Sequence, residues 1–171
     1  VILETGERAI AASMNGMPHG QGAIYGNNFP GHFCLHFFQS QTHSRNLDTA
    51  HQLMVLKAAG KLESYLDNKT AREIVEIALI ALRENDPQLV ILTYKIDPEL
   101  TDILEYMKNI AGLKIYSIEE LEADRKYLVD FEWYEIDSGN NFRQKTEVIM
   151  DNVQGGFLVK PKEISNVFKM S

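Results

Sequence analysis

Residues 127–150 read YLVDFEWYEIDSGNNFRQKTEVIM, and this stretch decides the fold class of the chain. Apolar and polar side chains alternate on both sides of the turn residues SGNN at 138–141, which is the pattern of two strands joined by a turn. Two further runs with a period of two flank this pair. The predicted strands span residues 113–118, 127–137, 142–150 and 156–159. Because successive strands joined by short turns pair with their neighbours, we expect an antiparallel meander.

The aromatic residues of the strand at 127–137 indicate which of its faces turns inward. Side chains alternate between the two faces of a strand, so Tyr127, Phe131 and Trp133 share one face and Tyr134 lies on the other. We interpret the three aromatic residues as packing within a sheet and not as the lining of a ligand pocket.

The segment upstream of the meander is helical. Thr70 and Glu73 have the spacing of a capping box, and Asp86 and Asp97 each precede a proline, as an N-cap precedes Pro at the first helical position. Gly112 is a candidate helix stop. The predicted helices span residues 70–85, 88–93 and 99–110.

Helices followed by an antiparallel meander make an α+β domain, which we place at residues 67–171. The pattern, which ends in GGFLV at 155–159, resembles the cystatin-like folds of the nuclear transport factor superfamily. That superfamily includes enzymes and binding modules alike, so the resemblance implies a fold and no function.

The first 66 residues follow a different pattern. Strands are predicted at 1–5 and 8–14 around a tight turn at Gly6, and at 31–38 after a loop rich in Gly and Asn. A helix is predicted from Thr49 to Leu66, with Asp48 as its N-cap. Residues 67–69 are polar and form a linker candidate. We therefore predict a β-rich domain over residues 1–66 in front of the α+β domain.

Composition excludes some classes of function. The net charge of −7 argues against a nucleic-acid-binding protein, which needs a basic surface. No apolar run is long enough to cross a membrane. The chain opens at Val1, without Met and within a predicted strand, so we expect it to be a processed or truncated piece of a longer protein.

The residues that titrate nearest neutral pH are confined to one short window. All five histidines and the single cysteine lie between residues 19 and 51. These side chains serve as nucleophile, base or metal ligand. They are His19, His32, Cys34, His36, His43 and His51. The window is therefore the part of the chain in which we expect the chemistry.

The spacing within the window suits acyl transfer by a cysteine. A thiolate attacks a carbonyl carbon, an imidazole moves the proton, and backbone N–H groups hold the oxyanion. Such a site needs a histidine brought back to the cysteine and a glycine-rich loop that lets the backbone approach the substrate. His19 and Gly20, followed by the loop to Gly31 and then by Cys34, meet this requirement.

The stretches HGQGAIYG at 19–26 and GHFCLHF at 31–37 resemble the catalytic motif of YkuD-type L,D-transpeptidases. That motif is a His-Gly pair, an intervening glycine, and then Ser-His-Gly-Cys, an apolar residue and Arg. This chain departs from it at three positions: Gly31 replaces Ser or Thr, Phe33 replaces Gly, and His36 replaces Arg. The resemblance covers roughly residues 8–65.

The resemblance implies a cell-wall cysteine acyltransferase that acts on peptidoglycan stem peptides. It implies Cys34 as the acylated nucleophile, His19 as the general base and His32 as the histidine two before the nucleophile. The positions that it places beside the substrate are Gly20, Gly31, Phe33 and His36. No metal and no cofactor are implied, the partner is peptidoglycan or another envelope component, and the setting is extracellular or associated with the cell wall.

Three alternatives remain open from the residues. The chain is a non-catalytic envelope binding or assembly protein that carries a degenerate motif, or Cys34 is a small buried residue between aromatics. The third alternative is a zinc site in which His32, Cys34 and His36 alternate on one strand face and His19 or His43 completes the shell. Outside these roles, His32 and His36 are expected on an exposed strand face, and His51 on a helix surface.

Overall fold

Residues 1–17, 26, 28, 31–41 and 48–169 are described by the structure, which is a computed structural model of the chain. Their elements mix helices with antiparallel strands, so the predicted α+β class is confirmed. Contacts between Cα atoms divide the chain into two compact units, Val1–Tyr65 and Leu66–Ser171. We call them the first and the second unit.

The first unit contains two short antiparallel ribbons. The strands are β1 (Ile2–Thr5), β2 (Arg8–Ala11), β3 (Ser13–Met17) and β4 (His32–His36). In one ribbon β1 pairs with β2 around Gly6, which has a φ of 63° and is suited to the turn because it lacks a Cβ. In the other, β3 pairs with β4 so that Ser13 lies opposite His36. The prediction that residues 8–14 form one strand is wrong, because the chain changes ribbon at Ala12.

Two helices follow the ribbons among the described residues of the first unit. They are α1 (Thr49–Ala58), which packs against β2, β3 and β4, and α2 (Leu62–Leu66). Asp48 is the N-cap of α1, as predicted, and its side chain accepts a hydrogen bond from the backbone N–H of His51. The single helix predicted from Thr49 to Leu66 is wrong, because Gly60 takes a left-handed φ of 65° and ends the helical path.

The second unit consists of helices followed by a four-stranded sheet. The helices are α3 (Ala71–Arg83), α4 (Pro87–Thr93) and α5 (Pro98–Tyr106), the last continued by a 3₁₀ turn at Met107–Asn109. The strands are β5 (Ile110–Glu122), β6 (Lys126–Glu135), β7 (Asn141–Val153) and β8 (Gly156–Val159), and α6 (Lys162–Lys169) follows them. The sheet has the order β5-β6-β7-β8 and is antiparallel throughout, which confirms the predicted meander.

The starts of the helices test the capping signals that were predicted from the sequence. The capping box of Thr70 and Glu73 is present in full, and Asp86 accepts bonds from the backbone N–H groups of the first turn of α4. Asp97 stands at the N-cap of α5 but makes no side-chain cap bond. The predicted helix stop at Gly112 is wrong, because β5 has already begun at Ile110 and Gly112 pairs within the sheet.

The core of the second unit lies between the helices and one face of the sheet. Tyr127, Phe131 and Trp133 are buried on that face, whereas Tyr134 is 40% exposed on the other, as predicted. Helix α6, which was not predicted, supplies Phe168, whose ring meets Trp133 edge-on at 5.5 Å between centroids. The aromatic set therefore packs a core, as the sequence indicates.

Candidate functional site

The two faces of β4 differ in their surroundings. Phe33 and Leu35 are 55% and 43% exposed on one face, whereas His32, Cys34 and His36 are half-buried on the other. The alternation follows the sequence, but the expectation that the histidine face is the exposed one is wrong. Helix α1 packs on the ribbon from the histidine side. The side chains of Phe33 and Leu35 are therefore left at the surface.

Cys34 is a free thiol at the centre of the half-buried face. Its strand neighbours on that face are His32 and His36, each two residues away, which is about 6.6 Å along an extended strand. Across the ribbon Cys34 lies opposite Asn15 of β3. The strand therefore presents a sulfur between two imidazoles on one side of the ribbon.

His32 carries an unsatisfied polar atom. Its ring Nδ1 is buried and has no hydrogen-bond partner among the residues that the structure describes. Buried polar atoms of this kind are nearly always paired in native proteins. The described residues therefore do not account for the pairing of His32 Nδ1.

His36 is held from α1. Its ring stacks on that of His51, with centroids 3.8 Å apart and planes within 8°. The same His51 ring is joined through Nδ1 to the Oγ of Ser13, at 2.9 Å. On its other side, His51 Nε2 lies 4.0 Å from an oxygen of Asp48. His51 lies in a helix, as expected, but it is half-buried and contacts the ribbon.

Gln52 fixes the chain where it leaves β4. Its Oε1 accepts a hydrogen bond from the backbone N–H of Gln39 at 2.6 Å, and its Nε2 donates to the carbonyl of Phe37 at 3.4 Å. Gln52 is buried, and it connects α1 to the segment that follows the cysteine strand. The sequence did not indicate Ser13, Gln52 or the contacts of His51 with the ribbon, although the separation of three between Asp48 and His51 is a signal of an N-terminal helix contact.

The remaining predicted residues are placed as follows. Gly31 is buried directly before β4, and Phe33 projects from the face opposite to Cys34. His19 and Gly20 lie outside the described residues, as does His43. The structure therefore places His32, Cys34 and His36 on one face of β4, and the pairing of His19 with Cys34 stays a prediction.

The zinc alternative depends on residues that are not described. Within the described ranges, no three His, Cys, Asp or Glu side chains are grouped so that they hold a metal ion. His32, Cys34 and His36 follow one another along a strand and do not converge. A fourth ligand from His19 or His43 lies beyond what the structure describes.

The outer face of the second unit's sheet carries a polar cluster. Glu132 accepts hydrogen bonds from Asn141 and Tyr116, both at 2.8 Å, and these bonds lower the pKa of its carboxyl group. Arg143 forms two bonds to Asp130, at 2.9 and 2.8 Å, and its guanidinium lowers the pKa of Asp130. Since both carboxylates are hydrogen-bonded within the sheet, we interpret the cluster as structural.

Helices α5 and α6 of the second unit border a cavity of about 450 Å³. Its wall includes Asp102, which accepts bonds from Lys169 at 2.7 Å and from Ser165 at 3.2 Å. The Lys169 ammonium lowers the pKa of Asp102. The charges of this wall also pair with each other, so the half-buried face of β4 remains the better candidate site.

Comparisons with known proteins leave the family open. No protein-family model matches the chain, and no curated protein matches it. The chain is similar to a crystal structure of a SEC-C motif-containing protein from Psychrobacter arcticus, with 15% sequence identity and a TM-score of 0.40. The alignment covers 57% of this chain and 65% of that one, so the chain spans less than two thirds of that structure.

The helices test the prediction that no segment of this chain spans a membrane. In the described part of the chain, each helix is too short or too polar to cross the bilayer. The predicted partner class, a component of the cell envelope, is taken up below.

Proposed function

We propose that the first unit is an L,D-transpeptidase-like cysteine acyltransferase that acts on peptidoglycan stem peptides. The observation that supports this best is the half-buried face of β4, where Cys34 lies between two imidazoles and the buried Nδ1 of His32 has no partner among the described residues. A thiol flanked by imidazoles is the setting in which a cysteine becomes a nucleophile.

The proposed reaction has two halves. In the first, Cys34 Sγ attacks the carbonyl carbon of an L-centre in a stem peptide, and an imidazole takes the thiol proton and passes it to the departing amine of a D-amino acid. The product is a thioester on Cys34. In the second half, the amine of a neighbouring stem attacks the thioester, a new amide forms, and the thiol regains its proton. Under the family resemblance the imidazole is that of His19.

The departures from the family motif fit this proposal in different ways. The Phe33 side chain is exposed on the face opposite to Cys34, so it does not itself crowd the cysteine. His36 stands where the family has Arg, and its ring is oriented by the stack on His51. We propose that His36, with Gly20 and Gly31 of the flanking loop, contacts the stem peptide.

A carbapenem tests the proposal because it acylates the cysteine of such enzymes. We expect mass spectrometry to find one covalent adduct on Cys34 and none in Cys34→Ser. Iodoacetamide should alkylate Cys34 faster than it alkylates free cysteine, and His32→Gln should slow this reaction. A folded protein that gives no adduct and a thiol slower than free cysteine would contradict the proposal.

A second candidate function is non-catalytic binding to the cell envelope. Four exposed apolar side chains favour it, and such a patch is typical of an interaction surface. They are Met14, Phe33, Leu35 and Phe37. The test is co-sedimentation with purified peptidoglycan: this alternative expects binding that survives Cys34→Ser and is lost in the double variant Phe33→Ser with Leu35→Ser.

We further propose that the second unit has the cystatin-like architecture of the nuclear transport factor superfamily. Three helices in front of a four-stranded antiparallel meander support this. An experimental structure of residues 66–171 tests it, and a sheet that lacks the β5-β6-β7-β8 order would contradict it.

A further inference from the structure

The first unit holds a second pair of side chains with the geometry of a nucleophile and its base. Ser13 Oγ and His51 Nδ1 are 2.9 Å apart, a hydrogen-bond distance. Ser13 begins β3 and His51 lies in the first turn of α1, so two elements of the unit bring the pair together. Neither residue has a chemical step in the reaction proposed for Cys34, although His51 stacks on His36.

The other side of the imidazole completes the arrangement. Asp48 Oδ2 lies 4.0 Å from His51 Nε2, and Asp48 Oδ1 accepts the backbone N–H of His51 at 3.3 Å. At 4.0 Å the carboxylate makes no direct hydrogen bond to Nε2, but its charge favours the tautomer with the proton there, which leaves Nδ1 to accept from the Ser13 hydroxyl. The stack on His36 restrains the ring plane. These are the roles of a nucleophile, a base and an orienting carboxylate.

A cavity lies beside Ser13. Ser13 is only 6% exposed, yet it lines a cavity of about 400 Å³. The wall beside it is mainly apolar, with Ala12 and Met14 from the ribbon and Met54 and Ala58 from α1, and Lys57 is its charged member. A cavity of this size and composition suits the acyl part of a small aliphatic ester.

We propose that Ser13, His51 and Asp48 form a serine esterase site for short-chain carboxylic esters. Ser13 Oγ attacks the ester carbonyl carbon while His51 Nδ1 takes the hydroxyl proton. The bond from carbon to the alcohol oxygen breaks, and His51 protonates the departing alcohol. Water then attacks the Ser13 ester with His51 again as base, which releases the carboxylic acid and restores the hydroxyl.

An alkyl fluorophosphonate tests this directly, because it forms a covalent phosphonyl ester only with an activated serine. We expect an adduct that fragment masses assign to Ser13 in the unaltered protein, and hydrolysis of p-nitrophenyl butyrate that the same reagent abolishes. Labelling should be unaffected in Ser138→Ala, which removes an exposed hydroxyl of the second unit.

Two variants separate chemistry from anchoring. In His51→Gln, the new side chain can still bond to the Ser13 hydroxyl, but the base is absent. This variant should therefore slow the labelling of Ser13 by roughly a hundredfold or more. Asp48→Asn keeps a side chain that caps α1 and should slow labelling by a smaller factor. An unlabelled Ser13 in folded protein, or equal labelling in His51→Gln, would show that the bond only anchors α1 to the ribbon. The acylation of Cys34 by a carbapenem is measured in a separate experiment, so the proposals for Cys34 and for Ser13 can be refuted independently.

Discussion

The two units differ in what their residues do. The second unit has capped helices, an aromatic core and a sheet face whose charges are matched, and it contains no histidine and no cysteine. The first unit has two short ribbons and two helices, and it holds the candidate sites proposed here. Its ribbon leaves Phe33 and Leu35 exposed while it half-buries Cys34. Aromatic residues therefore stabilise the second unit. In the first unit, the polar contacts of His51 and Gln52 determine how α1 packs around the candidate site.

The largest expected effect is a difference in stability between two variants, each of which removes an aromatic side chain from one unit. Phe131 is fully buried, so Phe131→Ala should lower the free energy of unfolding of the second unit by about 3–5 kcal/mol. Phe33→Ala removes a ring that is 55% exposed and should change stability by no more than about 0.5 kcal/mol. The stability of Phe131→Ala is measured by urea unfolding, followed by the fluorescence of Trp133. Circular dichroism follows the unfolding of both variants. Equal losses would remove the distinction between the two units.

An intermediate effect tests whether polar contacts determine the packing of the first unit. Gln52→Ala removes the bonds to Gln39 and Phe37, and it leaves a backbone N–H without its partner, which costs about 1–3 kcal/mol. Amide hydrogen exchange in α1 should accelerate accordingly. The matched control is Gln88→Ala, an exposed glutamine in α4, for which exchange should stay close to that of the unaltered chain. Unchanged exchange in Gln52→Ala would contradict this view of the first unit.

The smallest effect is a pH dependence within the second unit. The hydrogen bond from Lys69, with those from the cap residue Thr70, lowers the pKa of Glu73 from 4.5 to about 2. A carboxyl whose pKa is lower in the folded state adds stability above pH 4.5, and this contribution disappears as the pH falls towards 2. Glu73→Gln should therefore reduce stability at pH 7 and flatten the loss between pH 4.5 and 2.

The control for this prediction is Glu76→Gln in the same helix. Glu76 lies 4.0 Å from Arg72 and makes no capping bond, so its loss should affect the acid dependence less. Thermal unfolding at several pH values compares the two variants. A flattening as strong in Glu76→Gln as in Glu73→Gln would show that the capping box is not the source.

Local signals predicted most of the second unit. The box at Thr70 and Glu73 and the cap at Asp86 act within four residues, so the sequence contains both partners of each bond. Strand alternation likewise identified the buried face of β6. Helix α6 was missed because its packing depends on contacts with distant strands, as between Phe168 and Trp133.

The candidate site was predicted less completely. The sequence identified the window and the alternation of His32, Cys34 and His36, but it did not indicate that Ser13 and His51 meet. These two residues are 38 positions apart, and their contact exists only because α1 packs on the β3–β4 ribbon. A separation of this length leaves no local pattern in the sequence.

By itself, the sequence determined the α+β class, the meander, the helix caps and the confinement of histidine and cysteine to one window. Only the tertiary structure decided which face of β4 is covered, where the helix after Asp48 breaks, and that His51 joins His36 to Ser13. A period of two shows that the faces of a strand differ, but not which face a helix will cover. That choice is made by contacts between elements far apart in the chain, whose energies no short stretch of sequence contains.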